Sequence, residues 1–403
     1  MALKNNTWKL NQWYDQDVAG NVSYGGQKEF WVWGANNDGA LGLNQAEAQL
    51  TGKSSPTQIT GTPSWKSVRS NYDARHVLAT KTDGTLWGWG FCNDGNLELN
   101  NRTARSSPTQ IAGTTWALCS TMKYSSKATK TDGTLWAWGY NGYGQLGQND
   151  KTSRSSPVQV GSDSTWPTEN SDHIGGTSES GMAIKTDGTL WAWGYNSLGR
   201  LGLNDTTNYS SPVQIGTGSD WATVSTSTKY FNAAIKTDGT LWTWGQNKFG
   251  QLGLNQSGPG APTPDNQNLS SPTQVPGTTW KIISGGAQAW LATKTDGTLW
   301  ACGRNYNGML GQNDEIMYSS PAQIPGTDWD RPLALDSRSA AIKTDGTLWT
   351  WGSNGIGNLG QNSPANSDRS SPVQVGSDTT WDSSTGKMSG WGENNIWGFM
   401  KNV

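Results

Sequence analysis

The sequence predicts an all-β fold: a seven-bladed β-propeller of four-stranded antiparallel blades, closed by strands from the two chain ends. Three observations predict it. Lys-Thr-Asp-Gly-Thr-Leu-Trp occurs six times unchanged, beginning at Lys81, Lys130, Lys185, Lys236, Lys294 and Lys343. Two other marks recur in phase: Gly-x-Asn-x-x-Gly-x-Leu-Gly, as at Gly139–Gly147, and Ser-Ser-Pro-x-Gln, with its proline at Pro56, Pro108, Pro157, Pro212, Pro272, Pro321 and Pro372. Apolar residues inside a unit alternate with period two, the mark of strands rather than helices.

Each strand follows from a segment of the unit. Met182-Ala183-Ile184-Lys185 and Thr189-Leu190-Trp191-Ala192-Trp193 read as two strands around Asp187-Gly188. Asp-Gly between alternating runs predicts a hairpin with a type I′ turn. The two indoles of Leu-Trp-x-Trp share a face, and the residue between them is small or β-branched, as packed sheets require. Pro-Val-Gln-Val gives a third strand whose proline marks an edge or a strand start. A fourth begins at the lone Trp eight or nine residues after each proline: Trp65, Trp116, Trp166, Trp221, Trp280, Trp329 and Trp381.

Phe30–Gly34 and Asn395–Phe399 read as degenerate first and last copies of the Trp-x-Trp strand. Leading tryptophans then fall at 31, 87, 136, 191, 242, 300, 349 and 397, at intervals of 48 to 58 residues. Seven complete units with partial units at both ends predict a ring, because terminal strands can complete one blade without leaving open edges. Eight blades is the alternative, since both end hairpins are degenerate. Residues 1–24 fit the repeat poorly and form a candidate docking arm or closing strand; 25–403 form one propeller.

Composition narrows the function. The 403 residues hold 25 Trp against 5 Phe, and 52 Gly. Lys plus Arg (29) is outnumbered by Asp plus Glu (31), which argues against nucleic acid held on a basic surface. No stretch is long and apolar enough for membrane insertion, and no signal-peptide core is present. Cys92, Cys119 and Cys302 are scattered, fitting neither a disulfide framework nor a zinc site. The two histidines, His76 and His173, lie in non-equivalent units, so a His-based triad or three-His metal site is excluded by count. The expectation is no enzyme, no cofactor and no metal.

The repeated residues read first as architecture. The repeated Asp belongs to its turn. The repeated Lys suggests a positive ring on one rim, offset by the Asp two residues later. Thirteen tryptophans lie in Trp-x-Trp strands and seven follow the proline, so 20 of the 25 are expected to pack blades. Trp8, Trp13, Trp290, Trp391 and Trp397 lie outside both sets or in the degenerate end.

Variation between units points to function better than repetition does. The variable stretches are 43–53, 98–105, 162–178, 203–209, 254–269, 312–318 and 361–369. All but 162–178 follow the Gly-x-Leu-Gly turn, so one rim is expected to present them as a binding face. The candidate contact residues are Trp13, Tyr14, Asn204, Tyr209, Asn255, Asp265, Asn266 and Tyr318.

Asp-Gly-x-Leu-Trp-x-Trp-Gly, Gly-x-Asn-x-x-Gly-Gln-Leu-Gly and the following Pro-x-x-Val together resemble the regulator of chromosome condensation repeat family, over roughly residues 25 to 400. The resemblance implies a seven-bladed propeller with units near 50 residues. The family includes an exchange factor for a nuclear GTPase, a plant ultraviolet photoreceptor and interaction modules. The exchange factor's inserted wedge and basic tail have no counterpart here, and neither has the photoreceptor's Gly-Trp-Arg-His-Thr motif. The Trp-rich units, with the stretch Leu10–Asn21, are also similar to versions encoded by marine bacteriophages, especially cyanophages. That likeness implies a virion component whose partners are other virion proteins or a host-surface receptor or glycan. The alternatives are a lectin-like propeller, or an intracellular exchange-factor or adaptor module in the cytoplasm.

Overall fold

The computed structural model describes residues 28–45, 52–59, 64–70, 75–92, 94–97, 103–225, 229–256, 267–355, 357–363, 367–384, 388–391 and 396–402. They form seven separate four-stranded antiparallel sheets. Blade 1 runs in chain order from its innermost strand, Trp65–Arg69, through His76–Lys81 and Leu86–Gly90 to the outermost, Arg105–Ile111. Blades 2 to 6 repeat this order, starting at Trp116, Ile174, Trp221, Trp280 and Trp329. Neighbouring innermost strands touch at six of the seven blade junctions around a central channel, and at the junction of blades 3 and 4 the 3-10 turn Ser171–His173 meets the innermost strand of blade 4.

Blade 7 closes the ring. Met388–Trp391 and Ile396–Asn402 form its two inner strands, and Lys28–Gly34 and Lys53–Gln58 its two outer ones. Six residues of Lys28–Gly34 pair with the C-terminal strand, from Lys28↔Asn402 to Trp33↔Trp397. Ile396–Asn402 is therefore the second strand of its blade, not a further Trp-x-Trp strand. Reading Trp397 as a leading tryptophan overcounts the units by one, and the ring has seven blades. The physical reason is register: Lys401 lies opposite Trp381 as Lys81 lies opposite Trp65 in blade 1.

The hairpin turn also differs from the type I′ expectation. Gly84 N–H donates to the Lys81 carbonyl at 3.1 Å and Lys81 N–H to the Thr85 carbonyl at 2.9 Å. Only the glycine has positive φ, +79°. The loop is thus Thr-Asp-Gly, a type I turn followed by a left-handed glycine, the usual three-residue hairpin. The proline-bearing strand is the outermost one, and the ladder slips there, as between Gly88↔Thr109 and Gly90↔Arg105. An edge strand with a bulge accommodates a residue that has no N–H.

Blades are latched by the second indole of Trp-x-Trp. Each is fully buried and donates Nε1–H to a loop carbonyl of the preceding blade: Trp89 to Ala40, Trp138 to Asn96, Trp193 to Gln145, Trp244 to Arg200, Trp351 to Met309. Trp33 donates to Asn358 and closes the circle. In blade 5 the position is Cys302, yet the latch survives. Trp290, directly across the ladder from Cys302, donates to Gln251 at 2.9 Å. The indole has moved one strand over and filled the same space. The last glycine of Gly-x-Leu-Gly lies beneath the ring; a Cβ on Gly202 would stand 2.9 Å from Trp244 Nε1. Its φ of +73° also favours glycine.

Candidate functional site

Antiparallel alternation gives the disk two faces. One, the hairpin face, carries the Asp-Gly turns and the links from each outermost strand to the next blade. The other, the loop face, carries the turns between first and second strands and the variable loops between third and outermost strands.

On the hairpin face the repeated Lys is not a bare positive ring. In all seven blades its Nζ lies 3.9 to 5.0 Å from the centres of two indoles, the leading Trp and the Trp that follows the proline-bearing strand of the preceding blade. Nor does the Asp two residues later serve mainly to cancel it. Asp83 Oδ1 accepts from Thr85 N–H and Oγ–H, and Thr85 Oγ accepts from Trp87 Nε1–H, a relay present in six blades. The threonine hydroxyl and then its amide hold these carboxyls below the usual aspartate range. Geometry, not metal binding, occupies the repeated Asp.

The 162–178 insertion leaves this face and enters the channel. Its 3-10 turn Ser171–His173 places Asp172 between blades 1 and 6. Asp172 accepts from Arg331 at 2.8 Å and Arg69 at 3.3 Å, and Arg69 also donates to Ser171 Oγ at 2.6 Å. Burial pushes the Asp172 carboxyl up, but Arg331 and Arg69 outweigh it and hold it below its usual value. Thr129 donates to the Pro167 carbonyl, and Lys127 Nζ to that of Gly175. Lys127 is wholly buried where blades 1 and 3 carry Leu78 and Met182, and burial pulls its ammonium down to about 7.

The loop face carries what differs between units. After the glycine ending each third strand, the next N–H donates to the residue before the second strand: Phe91 to Arg75, Tyr140 to Tyr124, Tyr195 to Glu179, Gln246 to Tyr230, Arg304 to Gln288 and Ser353 to Ser337. The backbone bond is constant and the side chains are not. Across blades 1 to 4 they build a continuous arc. Phe91 meets Tyr124 at 6.4 Å, Tyr124 meets Tyr140 at 6.4 Å, Tyr140 meets Tyr143 at 6.3 Å, and Tyr143 meets Tyr195 at 4.5 Å. The Arg200 guanidinium then lies 4.7 Å from Tyr195 and 5.9 Å from Tyr230. Arg304 lies 3.4 Å from Tyr306, which is 53% exposed, and 4.9 Å from Phe249. A 610 Å³ hollow opens beside Tyr195, lined also by Leu198, Thr206 and Asn208. At the equivalent positions blade 6 has Ser337 and Ser353, so among the described residues the arc ends before it.

The sequence-derived candidates fall elsewhere. Trp13, Tyr14, Asp265 and Asn266 lie outside the described residues, as does the 1–24 segment. Asn204 and Asn255 occupy a repeated left-handed position, φ +62° and +55°. Their N–H groups donate to Ser270 and Ser319 carbonyls of the next blade, and their Oδ1 atoms accept from Ser271 and Ser320. Asn149 and Asn313 do the same, so this is stitching between blades. Tyr209 and Tyr318 open outermost strands, and their hydroxyls donate to Asp205 at 2.8 Å and Asp314 at 2.7 Å. Tyr209 and Asn204 line one inter-blade cleft, while Asn255 and Tyr318 lie in the following blades. The arc residues went unnamed because each sits next to a motif rather than in a long insertion. The signal was present in the variable residue that follows Trp-Gly in each unit: Phe91, Tyr140, Tyr195, Gln246.

Known proteins share this architecture. The regulator of chromosome condensation (RCC1) repeat matches residues 132–168, 187–230, 238–291 and 345–382. The ultraviolet-B receptor UVR8 of Arabidopsis thaliana is 31% identical over 230 residues, 57% of this chain and 51% of that protein. The protein RCC2 homolog of Danio rerio is 30% identical over 135 residues, 33% of this chain and 26% of that one. The chain thus matches about half and a quarter of the length of these curated relatives. Among solved structures, Prp20p from Saccharomyces cerevisiae superposes with a TM-score of 0.78 at 18% identity, covering 94% of this chain and 92% of that one. Human WBSCR16 gives 0.76 at 18% identity, covering 93% and 99%. These two show the fold.

Proposed function

We propose that the chain is a non-enzymatic protein-interaction propeller, of the adaptor or exchange-factor type, that receives its partner on the loop face. The observation that carries the reading is the arc from Phe91 to Tyr230, with Arg304 and Tyr306 beyond it. Tyrosine and arginine dominate binding hot spots because they present large, rigid, partly polar contact area. Here they stand at or just beyond strand ends fixed by the blade ladder, at positions whose residue differs from unit to unit. Similar proteins give the reading a precedent: the structure of Prp20p is described with its binding to Gsp1p and histones, and yeast RCC1 (Prp20) with Kap60 bound. Placement in a virus particle rests on the sequence resemblance alone and forms no step of the reading.

Cross-linking and mass spectrometry of the tagged chain in its native extract test the proposal. The Tyr143→Ser/Tyr195→Ser/Arg304→Ser variant is expected to lose the proteins captured by the wild type, while a Lys343→Gln variant on the hairpin face keeps them. Equal capture by both variants removes the loop face from the function. Release of fluorescent nucleotide from a small GTPase mixed with the chain decides between exchange factor and adaptor.

A further inference from the structure

The inner turns of the loop face gather positive charge on a chain whose formal net charge is −2. In blades 2 to 5 these are the described turns between first and second strands and the six residues after each third strand. They hold five cations, Lys123, Arg200, Lys229, Lys248 and Arg304, against one carboxylate, Glu179. Glu179 lies 3.8 Å from Arg200, so that pair balances itself and four cations remain in excess. Further out, Asp150, Asp205 and Asp314 accept from Asn141, Asn196 and Asn305, and Arg154, Tyr209 and Tyr318 bind their other oxygens. Glu315 is the one further carboxylate described on these loops.

These cations are interleaved with rings. Lys123 Nζ lies 5.2 Å from the centre of Tyr124, Lys229 Nζ 5.3 Å from Tyr230, and Lys248 Nζ 6.0 Å from Phe249, which Arg304 also approaches. The hydroxyls of Tyr124, Tyr140, Tyr143, Tyr195 and Tyr230 bond to no described residue, and none of them is closed off from solvent. Tyr209 and Tyr318 show what such a hydroxyl takes up in this chain: each donates to a carboxylate, at 2.8 and 2.7 Å. An ionised carboxylate accepts from several donors at once. One set between a lysine or arginine and a tyrosine hydroxyl satisfies both, through charge-assisted bonds.

We infer that the arc, with its extension to Arg304, receives an acidic, extended segment of a protein partner, whose Asp and Glu carboxylates bridge the cations and the tyrosine hydroxyls. This rests on the loop-face reading and names the chemistry of what docks there. Basic clusters select acidic motifs, and their field speeds the encounter. A single nucleic-acid strand is anionic too, but it relies on bases stacking against open ring faces. Here Tyr124, Tyr140 and Tyr143 meet edge to face at 87° and 78°, and Arg304 covers Tyr306. The rings offer edges and hydroxyls more than faces.

The test is fluorescence anisotropy of a labelled Asp/Glu-rich peptide titrated with the full chain, beside a Lys/Arg-rich peptide and a single-stranded oligonucleotide of the same length. The acidic peptide is expected to bind, more weakly as salt rises. Lys248→Glu/Arg304→Glu should weaken it by more than about tenfold. Lys53→Glu/Lys66→Glu makes the same change in net charge outside the arc and should leave the affinity within about twofold. Tyr195→Phe/Tyr230→Phe, which removes only hydroxyls, should weaken binding by more than about threefold. If the charge-reversed arc variant does not fold, Lys248→Ala/Arg304→Ala decides, with a loss of about fivefold expected. No binding of the acidic peptide, equal or tighter binding of the oligonucleotide or the basic peptide, affinity unchanged in either arc variant, or an equal loss in the Lys53/Lys66 variant overturns the inference. Capture of partners by the Tyr143→Ser/Tyr195→Ser/Arg304→Ser variant separates the two levels. If that capture is lost while the acidic peptide does not bind, the loop face keeps its role and only the acidic chemistry falls; if it is retained, the loop-face reading fails and this inference with it.

Discussion

The two faces of the disk are ends of the same strands, and they have been built to opposite rules. On the hairpin face seven lysines sit between seven pairs of indoles with nearly constant geometry. On the loop face an equally constant backbone bond, 2.8 to 3.0 Å in six blades, carries Phe, Tyr, Tyr, Gln, Arg and Ser in turn. The difference teaches where constraint comes from. Side chains that fill the gap between wedge-shaped blades are held to one solution by close packing. Side chains beyond the last ladder bond pack against solvent, and there the sequence is at liberty to specialise.

The heaviest blow to the constant part is loss of a latch indole. Trp193→Ala, removing a fully buried ring and its bond to Gln145, is expected to cost about 3–5 kcal/mol in urea denaturation. Blade 5 sharpens the point. Trp290→Ser should be as damaging, but Trp290→Ser/Cys302→Trp should recover most of the loss, because blade 6 already pairs Ser339 with Trp351. A double variant no more stable than the single one would show that the indole's site depends on which strand supplies it.

Next in size is the channel. Asp172→Ala leaves the Arg69 and Arg331 guanidinium groups buried and facing each other, at an expected cost of about 3–5 kcal/mol. A change below about 1 kcal/mol would mean that water reaches this end of the channel and screens the pair.

Much of this was legible beforehand, for a reason. The blade count, the ring closure and the packing role of 20 tryptophans follow from elements that recur in phase. The Trp290 latch was not legible, because its partner lies across a ladder whose register no local motif states. The Asp172 bridge was hidden in the same way: the 162–178 insertion was visible, but its contacts come from blades 1 and 6, over a hundred residues away. Asn204 and Asn255 drew attention as loop residues in variable stretches. Their left-handed φ and bonds to the next blade make them part of the constant half of the molecule.

Acidity and alkalinity probe two side chains that break the core's apolar rule. Burial lowers the His76 imidazole to about 3 from its ordinary 6.5. Between those values the unfolded chain binds more protons, so stability is full above 6.5 and falls as pH drops toward 3. Lys127, about 7 against an ordinary 10.5, has the same sign in another window: stability rises as pH climbs from 7 to 10.5. Lys127→Met should flatten that second slope and raise stability at neutral pH, measured by denaturation across the range. A slope unchanged by the substitution would assign it to other groups.

The smallest expected effect separates the faces most cleanly. Lys343→Gln removes a cation lying 4.7 Å from each of two indoles, and exposed contacts of this kind are worth about 0.5–1 kcal/mol. Tyr195→Ser removes a ring 4.5 Å from Tyr143, an aromatic pair worth about 0.5–1.5 kcal/mol beyond its burial. In thermal denaturation the two variants should therefore look alike. Partner capture should not: the Lys343 variant keeps it, and the Tyr195 variant loses a large part of it, because Tyr195 joins the two halves of the arc through Tyr143 and Arg200. If matched losses of stability were accompanied by matched losses of capture, the effect would lie in the ring as a whole, and the functional contrast between its faces would collapse.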